Sequence, residues 1–359
     1  MMIDVAILGA TGAVGQRFIQ LLQAHPWFRV AEVVASERSS GKHYAEAVRW
    51  VLDGEIPPTV AELVVLELTD SLASPIVFSA LPAQAALEIE ARLAAEGHFV
   101  FSNASAYRMA PDVPLLLPEV NAEHLRLVGR QQAERGWKGG LVTNSNCTAA
   151  PVVMALAPLR HLVPQRLHVV SMQAVSGAGY PGVPSLDILD NVIPYIGGEE
   201  EKLAEEPRKM LGTYQDGEIL PLEMTISASC NRVPVVDSHL VSIAMNFQNP
   251  VGLESVQAAW EHFEAPANVR TLPSAPNPVL VVTDAPDRPQ PRRDRLTGGG
   301  MATVIGRLRA AAALDGIQFM ALTHNTIRGA AGCSILNAEL LVSEGYLSGT
   351  KAPSAIAVR

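Results

Sequence analysis

One cysteine lies where the chain could use it as a nucleophile. Cys147 stands in the segment NSNCTAAP, between a short apolar strand and a predicted helix that has Pro151 in its first turn. The partial positive charge and the free amides at a helix N-terminus favour a thiolate, which is the nucleophilic form of cysteine. The same amides can hold an oxyanion. The position therefore predicts a catalytic thiol rather than a small buried hydrophobe.

A nucleophilic thiol needs a general acid or base, and one histidine has a suitable neighbour. Arg232 and His239 lie seven positions apart in NRVPVVDSH, on either side of a short proline-containing turn or strand. They pair an anion-binding guanidinium with an imidazole that titrates near neutral pH. His161, His168 and His262 lie in helical or strand contexts that indicate surface or packing roles. Taken alone, the pattern leaves His239 either catalytic or structural.

A glycine-rich turn near the N-terminus indicates nucleotide binding. The apolar strand IDVAILG runs into a G-x-x-G-x-x-G pattern at 9–15, and the helical sequence QRFIQLLQAH follows. Glycines let the backbone approach a pyrophosphate, and the helix N-terminus favours its negative charge. The alternative is a tight turn of a parallel sheet without a ligand. The residues of this turn that we expect to contact a dinucleotide are Gly9, Thr11, Gly12, Ala13 and Val14.

The end of the second strand favours NADP over NAD. NAD sites commonly place an acidic residue here to bind the ribose 2′-hydroxyl, whereas this chain continues as SERSSGK at 36–42. The hydroxyl groups of Ser36 and Ser39 and the charge of Arg38 suit a 2′-phosphate. Glu37 would oppose that phosphate if it faced the site, and a solvated loop without a ligand is the alternative.

The elements that must position these residues alternate between strand and helix in the first half of the chain. Short apolar strands such as SPIVFS and HFVFS are separated by helical segments such as AALEIEARLAAEG, and a further helix is predicted over 121–136. This order predicts an α/β fold with a Rossmann-type, doubly wound parallel sheet. Ligands bind at the carboxyl ends of the strands in such sheets, and Cys147 follows one of those ends.

After Cys147 the pattern changes to partly alternating strands such as RLHVVSMQ and HLVSIAMNFQ, with helical segments between them. We expect an α+β domain with a mostly antiparallel sheet. Two of its segments, 182–195 and EEEKLAEEPRKMLG, look helical, and a long helix is predicted over 328–347. The expected domains are 1–146 for NADP binding, completed by the C-terminal helix region 325–359, and 147–324 for the α+β domain.

Composition limits the possible functions. The 359 residues are 48% hydrophobic and 18% charged, with a net charge of −9, which is typical of a globular protein and argues against nucleic-acid or anionic-membrane binding. The three cysteines are far apart and form no CxxC pair, which argues against a disulfide framework and a cysteine-based zinc site, so we expect no metal. No secretory signal or membrane span is evident, and the cytoplasm is the expected location.

Motifs along nearly the whole chain resemble aspartate-semialdehyde dehydrogenases, and the long segment 182–212 resembles their archaeal and fungal branch. The matching motifs, in order, are GATGAVG, SERSSGK, FSALPA, SNASAYRM, LPEVN, NSNCTAAP, SMQAVSGAGYPG, EEEK, CNRVPVVDSH and NTIRGAAG. Because several independent motifs occur in the family's order, the resemblance is highly specific.

The resemblance implies roles for individual residues. It makes Cys147 the nucleophile, His239 the acid/base and Gln173 the residue that orients the substrate. It assigns Arg232 to the substrate carboxylate and Glu199 to the substrate amine, although the three adjacent glutamates at 199–201 allow a slip of one position. The implied phosphate-binding residues are Arg108, Asn146 and Lys202. The implied further cofactor contacts are Ser176, Gly177 and Asn325.

The implied reaction is the reversible, NADPH-dependent reductive dephosphorylation of L-aspartyl-4-phosphate to L-aspartate 4-semialdehyde through a cysteine thioacyl intermediate. It belongs to the biosynthesis of lysine, through diaminopimelate, and of threonine and methionine. The family also suggests a homodimer or homotetramer, with 147–324 as the catalytic and dimerisation domain. Malonyl-CoA reductases of the same branch are the main alternative. N-acetyl-glutamyl-phosphate reductases usually have a proline–glycine pair before the cysteine, and a non-catalytic NADP-binding protein would not need the complete residue set.

Overall fold

The computed structural model describes residues 2–347. Its strands are β1 (Ile3–Leu8), β2 (Phe28–Val34), β3 (Val65–Leu66), β4 (Ile76–Ser79), β5 (Phe99–Ser102), β6 (Leu115–Leu116), β7 (Gly140–Asn144), β8 (Pro164–Gln173), β9 (Thr213–Gln215), β10 (Glu218–Leu220), β11 (Thr225–Arg232), β12 (His239–Phe247), β13 (Leu280–Thr283), β14 (Thr303–Ala311) and β15 (Gly316–Thr323). Its α-helices are α1 (Ala13–Leu22), α2 (Tyr44–Ala47), α3 (Pro58–Ala61), α4 (Ala83–Glu96), α5 (Pro118–Asn121), α6 (Leu127–Arg135), α7 (Ala149–Leu156), α8 (Ser185–Ile188), α9 (Glu199–Met210), α10 (Leu253–Glu261), α11 (Ala267–Arg270), α12 (Pro291–Asp294) and α13 (Gly332–Ser343).

The first sheet has seven strands in the order β3-β2-β1-β4-β5-β7-β6, and every neighbouring pair is parallel. Its central strands are buried apolar runs, as expected of a sheet covered on both faces. The strand order reverses between β1 and β4, which creates the crevice where doubly wound sheets bind ligands. The Rossmann-type prediction is confirmed.

The glycine turn lies in that crevice. Gly9 has a φ of +71°, and a side chain there would bring its Cβ within 2.8 Å of the Ala80 carbonyl oxygen at the end of β4. Gly12 precedes α1, and no side chain caps the amides of this helix start. Gln16 fixes the turn from within α1, because its amide donates to the carbonyls of Thr11 and Arg49, both at 3.0 Å.

The second sheet has six strands in the order β11-β8-β12-β15-β14-β13. The three central pairings are antiparallel, and the two outer pairings, β11 with β8 and β13 with β14, are parallel. The prediction of a mostly antiparallel sheet is therefore confirmed. The carboxyl ends of β8 and β11 lie beside the start of β12, which brings three functional segments to one edge.

The last described helix, α13, packs on the first sheet rather than on the second. It contacts β4, β5 and β7 as well as α1. Asn144 at the end of β7 joins it through hydrogen bonds to the Ala330 carbonyl at 2.7 Å and to Ser334 Oγ at 2.6 Å. Asn337 donates to Asn144 Oδ1 at 2.7 Å. Residues late in the chain thus complete the interior around the strand that leads to Cys147.

Three sequence-based element predictions differ from the structure. Of the segment 182–195, only Ser185–Ile188 is helical, because Pro184 and Pro194 limit its length and Leu186, 91% exposed, lies outside the core of the described residues. The predicted helix 121–136 starts as a 3-10 helix, Ala122–Arg126, before α6. The C-terminal helix begins with a π-helical turn, Ile327–Ala331, and α13 ends at Ser343.

The domain limits 1–146, 147–324 and 325–359 stay a prediction, and residues 348–359 of the last range lie outside the described residues. Within 2–347, no helix combines the length and apolar character needed to cross a bilayer.

Candidate active site

The candidate site is built where the second sheet meets the turn after β7. Gln173 ends β8 and Arg232 ends β11, and the parallel register places these two residues side by side. His239 begins β12, whose antiparallel pairing sets Leu240 opposite Met172 and therefore brings His239 next to the end of β8. All three side chains of this edge are buried.

Cys147 and His239 are in direct contact. The distance from Cys147 Sγ to His239 Nε2 is 3.2 Å. The other ring nitrogen, Nδ1, accepts a hydrogen bond from the Ala174 backbone amide at 3.1 Å. With Nδ1 used as an acceptor, the neutral ring carries its proton on Nε2 and directs it at the sulphur. The structure thus joins the thiol and the imidazole that the sequence placed far apart.

Burial dominates the protonation of this pair. It raises the pKa of Cys147 to about 12, with the charge of Glu199 adding to the rise and Arg108 opposing it. It lowers the pKa of His239 to about 3, and the nearby charge of Arg232 lowers it further. Without a ligand, both groups are therefore neutral around pH 7.

The expected activation of Cys147 by free helix amides is wrong for this resting state. The cysteine does precede α7, but Asn146 Oδ1 accepts hydrogen bonds from the amides of Thr148 at 2.8 Å and Ala149 at 3.2 Å. The amides that were to stabilise the thiolate are consequently occupied by the preceding side chain. The side chain of Asn146 thus caps the start of α7, and burial is the largest influence on the pKa of Cys147.

The carboxylate of Glu199 is hydrogen-bonded to several other side chains of the site. It accepts hydrogen bonds from Asn146 Nδ2 at 2.9 and 3.0 Å, from Gln173 Nε2 at 3.2 Å and from Lys202 Nζ at 2.9 Å. These donors hold the pKa of Glu199 below its usual value despite burial. Glu200 instead accepts a hydrogen bond from the Cys230 amide, so Glu199 is the glutamate of this run that faces Cys147.

Arg108 reaches the site from the loop after β5. Its Nη1 donates to Glu206 at 2.9 Å and its Nη2 donates to the Asn103 carbonyl at 2.8 Å. Its Nε is buried and has no hydrogen-bond partner among the described residues. The predicted anion-binding residues Arg108 and Lys202 are thus both placed near Cys147, and Arg108 keeps one unused donor.

Two glycines allow the backbone to approach these groups closely. A Cβ on Gly177 would lie 2.8 Å from Arg232 Nη1 and 2.9 Å from His239 Cε1. A Cβ on Gly329, in the π-helical turn, would lie 2.7 Å from the Cβ of Cys147. Side chains at either position would displace the reactive groups, so both glycines are part of the site.

A cleft leads from the glycine turn to this site. A cavity of about 300 Å³ is lined by Ser36, Glu37 and Arg38 at the end of β2. A second, of about 240 Å³, includes Ala13 and Val14 of the α1 turn and Ser176 on the opposite wall. Ser39 does not line either cavity; its amide bonds to the Ser36 carbonyl at 2.8 Å.

Asn325 closes the cleft at its inner end. Its Nδ2 donates to Ser176 Oγ at 2.8 Å, and its Oδ1 accepts from the Ser238 amide at 2.8 Å. The open crevice, the uncapped helix start and the two cavities fit an extended dinucleotide. No group of three or more His, Cys, Asp or Glu side chains in 2–347 is arranged to hold a metal ion.

Comparison with known proteins agrees with this geometry. Residues 4–128 match the family model described as the NAD binding domain of semialdehyde dehydrogenases, and residues 156–328 match the one described as their dimerisation domain. The aspartate-semialdehyde dehydrogenase of Archaeoglobus fulgidus is 49% identical over 96% of this chain and 99% of its own length. The chain belongs to the aspartate-semialdehyde dehydrogenase family.

Fungal members of the family are also similar. The aspartate-semialdehyde dehydrogenase of Trichophyton rubrum is 45% identical over 95% of this chain and 97% of its own length. The crystal structure of the Candida albicans aspartate-semialdehyde dehydrogenase with NADP superposes with a TM-score of 0.88, at 40% identity, over 97% of this chain and all of that chain. The predicted family and its archaeal and fungal resemblance are confirmed.

Two residues of the site, Glu206 and Gly329, are not predicted from the sequence. Glu206 contacts both Arg108 and the backbone of Asn146, and Gly329 packs against Cys147. Glu206 follows Glu199 by seven positions, two helical turns, so the spacing within α9 places both on one face. No comparable signal exists for Gly329, because its contact depends on the docking of the C-terminal helix.

Proposed function

We propose that this protein is an NADP-dependent aspartate-semialdehyde dehydrogenase that reduces L-aspartyl-4-phosphate to L-aspartate 4-semialdehyde and phosphate. The observation that carries the proposal is the 3.2 Å contact between Cys147 Sγ and His239 Nε2, in a chain of this family. Arg232 and Glu199 lie beside that contact, and Arg108 and Lys202 supply positive charge. Such an enzyme acts in amino-acid biosynthesis.

Cys147 is the nucleophile. Its thiolate attacks the acyl-phosphate carbonyl, the phosphate leaves, and a thioacyl enzyme forms. Bound NADPH supplies a hydride to the thioacyl carbon. The resulting thiohemiacetal oxyanion then collapses, releasing the aldehyde and regenerating the thiolate. Burial raises the pKa of Cys147 to about 12, and the positive charges of Arg108 and Arg232 favour the thiolate without cancelling that rise.

His239 acts on the charges that form at this centre. Its Nε2 proton, directed at the sulphur, can stabilise the thiolate before attack and after collapse. Because Nε2 already carries the proton of the neutral ring, His239 could accept a further proton at Nε2 only after the ring proton had moved to Nδ1. The Ala174 amide opposes the tautomer that carries the proton on Nδ1, because two donors would then face one another.

The two ends of the substrate need different partners. Arg232 can grip the substrate carboxylate with a bidentate guanidinium, although its Nη1 also donates to the Ala174 carbonyl at 2.8 Å. Glu199 can receive the α-amine, and Gln173 holds both Glu199 and the end of β8 in place. The guanidinium of Arg108 and the half-buried Lys202 can bind the phosphate. Asn146 donates from its side-chain amide to Glu199 and so orients the Glu199 carboxylate.

The cofactor fits the cleft in one direction. The glycine turn at 9–12 and the start of α1 can hold the pyrophosphate, and Ser36 and Arg38 the ribose 2′-phosphate. Ser176, Gly177 and Asn325 then flank the nicotinamide end beside Cys147. The NADP-bound relative from Candida albicans supports this assignment.

The protein acts as a homo-oligomer, a homodimer or a homotetramer, in the cytoplasm. The matched dimerisation domain supports association, and exposed apolar side chains are concentrated on the arm at 180–195. Those side chains are Tyr180, Leu186, Leu189, Val192 and Tyr195. A second copy would remove them from water. The three cysteines are free thiols, which suits a reducing compartment.

The test is NADPH oxidation with L-aspartyl-4-phosphate and with malonyl-CoA, side by side. We expect turnover with the first donor only, and efficient reduction of malonyl-CoA alone would overturn the proposal. In the reverse reaction at saturating semialdehyde, Lys202→Met and Arg108→Leu should each raise the KM for phosphate at least tenfold, or about 1.4 kcal/mol. Arg166→Leu, at an exposed position, is the control and should leave that KM unchanged.

A further inference from the structure

Four charged residues of α9 lie on one face of the helix and alternate in sign. They are Glu199, Lys202, Glu206 and Lys209, spaced three or four positions apart. The first two belong to the site described above. The other two are also buried, 2% and 6% exposed, but the proposed reaction gives them no role. Charged side chains are rarely buried unless they are paired with a group of opposite charge or a hydrogen-bond partner.

Glu206 joins two parts of the site through one carboxylate. Its Oε1 accepts the hydrogen bond from Arg108 Nη1 at 2.9 Å, and its Oε2 accepts one from the backbone amide of Asn146 at 2.5 Å. Asn146 directly precedes Cys147. The position of the nucleophile relative to Arg108 is thus set by a single rigid group between them.

Lys209 fixes the loop that carries Arg108. Its Nζ donates to the backbone carbonyls of Arg108 at 2.7 Å, Ala110 at 2.8 Å and Val113 at 2.8 Å. All three donors of the ammonium are therefore used by one loop. Glu206 holds the Arg108 side chain while Lys209 holds its backbone, both from successive turns of the same helix.

We propose that Glu206 is a positioning residue that sets the distance between Cys147 and the phosphate-binding guanidinium of Arg108. This inference rests on the proposed function, from which it takes the role of Arg108 in binding phosphate. Glu206 has no contact with the substrate in this scheme and acts through its two partners. By accepting from Nη1 of Arg108, it also fixes the orientation of the guanidinium that we propose binds phosphate.

The main test is Glu206→Gln, which keeps size but places an amide nitrogen against one of two donors. We expect the KM for phosphate to rise at least tenfold while the KM for the semialdehyde stays within twofold. The matched control is Glu339→Gln, a fully buried glutamate bonded to His25 and Ser274 away from the site. It should lower Tm without changing either KM. Equal behaviour of the two variants would overturn the proposal.

Action through Arg108 is tested by combining substitutions. If Glu206 works by orienting Arg108, the double variant Glu206→Gln/Arg108→Leu should have the same phosphate KM as Arg108→Leu alone. Fully additive effects would mean that Glu206 acts elsewhere. Glu206→Asp is the variant to use if the glutamine folds poorly, since it keeps the charge but is too short to reach both partners, and its phosphate KM should also rise.

A measurement without substrate separates this inference from the proposed function. The rate at which iodoacetamide alkylates Cys147 at pH 7 should rise roughly threefold in Glu206→Gln, because Arg108 is no longer neutralised and can stabilise the thiolate. This outcome would stand even if the wild type failed to use aspartate semialdehyde. An unchanged alkylation rate together with an unchanged phosphate KM would refute the positioning role.

Discussion

The cofactor cleft and the acyl site are constructed in different ways. The pyrophosphate end of the cleft is formed mainly by backbone: a glycine turn, an uncapped helix start and a strand end, all within the first 40 residues. The acyl site is formed by side chains that come from β8, β11, β12, α9 and two loops. A site formed by backbone is disturbed mainly where a glycine gains a Cβ. A network of side chains depends on every one of its members.

The largest effect should come from the side-chain network. We expect His239→Asn to reduce kcat by roughly 10²–10⁴, the usual loss for a general acid or base, without changing the affinity for NADP. Steady-state kinetics and cofactor titration measure the two quantities. His168→Asn, at an exposed position on the same sheet, is the control. A loss of kcat below tenfold would mean that His239 has a structural role, and it would weaken the contrast between the acyl site and the cofactor cleft.

The protonation of Cys147 should give the next largest effect. Because its pKa in the free enzyme is raised to about 12, the thiolate fraction should grow with pH throughout pH 7–9. The rate of iodoacetamide alkylation should then rise about tenfold per pH unit, mapped to Cys147 by peptide analysis. Cys230 and Cys333 are buried and should remain unlabelled. A plateau near pH 7 would mean that the helix start activates the thiol after all.

A Cβ added to the cleft tests the backbone half of the comparison. Gly12→Ala would place a methyl 3.3 Å from the Gly9 carbonyl, on the exposed side of the turn where the phosphates bind. We expect the Kd for NADP to rise about tenfold, with the Cys147 alkylation rate unchanged. Gly129→Ala, where α6 offers open space, is the control. Unaltered NADP binding would show that the turn is only structural.

The smallest effect should come from the 2′-phosphate end, which is exposed to solvent. Ser36→Asp should shift the preference from NADP towards NAD roughly fivefold, or about 1 kcal/mol, by repelling the phosphate. Glu37→Gln should change the ratio in the opposite direction, since Glu37 lines the same cavity. The ratio of kcat/KM for the two cofactors measures both. A wild type that uses NAD equally well would contradict the interpretation of SERSSGK.

The same contrast explains what could be predicted from the sequence. The strand–turn–helix unit is local, so the glycine pattern was enough to place α1 and the crevice at β1 and β4. Residue types and family motifs indicate that Cys147 and His239 act together. The orientation of the His239 ring, which the Ala174 amide sets, depends on strand pairing. Such tertiary contacts leave no local pattern.

Two errors have the same origin. Thr148 and Ala149 were expected to offer free amides, yet a neighbouring side chain occupies them, and burial then controls the thiol. The segment 182–195 has a helical spacing of apolar residues, but Leu186, Leu189 and Val192 stay exposed within the described residues. Periodicity predicts a helix only where a core is present to receive its apolar face.

The bonds from Asn144 to Ala330 and Ser334 have a consequence for synthesis. Partners 186 and 190 positions apart cannot meet until most of the chain has left the ribosome. The glycine turn can fold early around its own sheet, but the turn bearing the nucleophile is covered by Gly329 only when translation is nearly complete. The acyl site and the inner end of the cleft, which Asn325 closes, should therefore both be completed only after nearly the whole chain has been made.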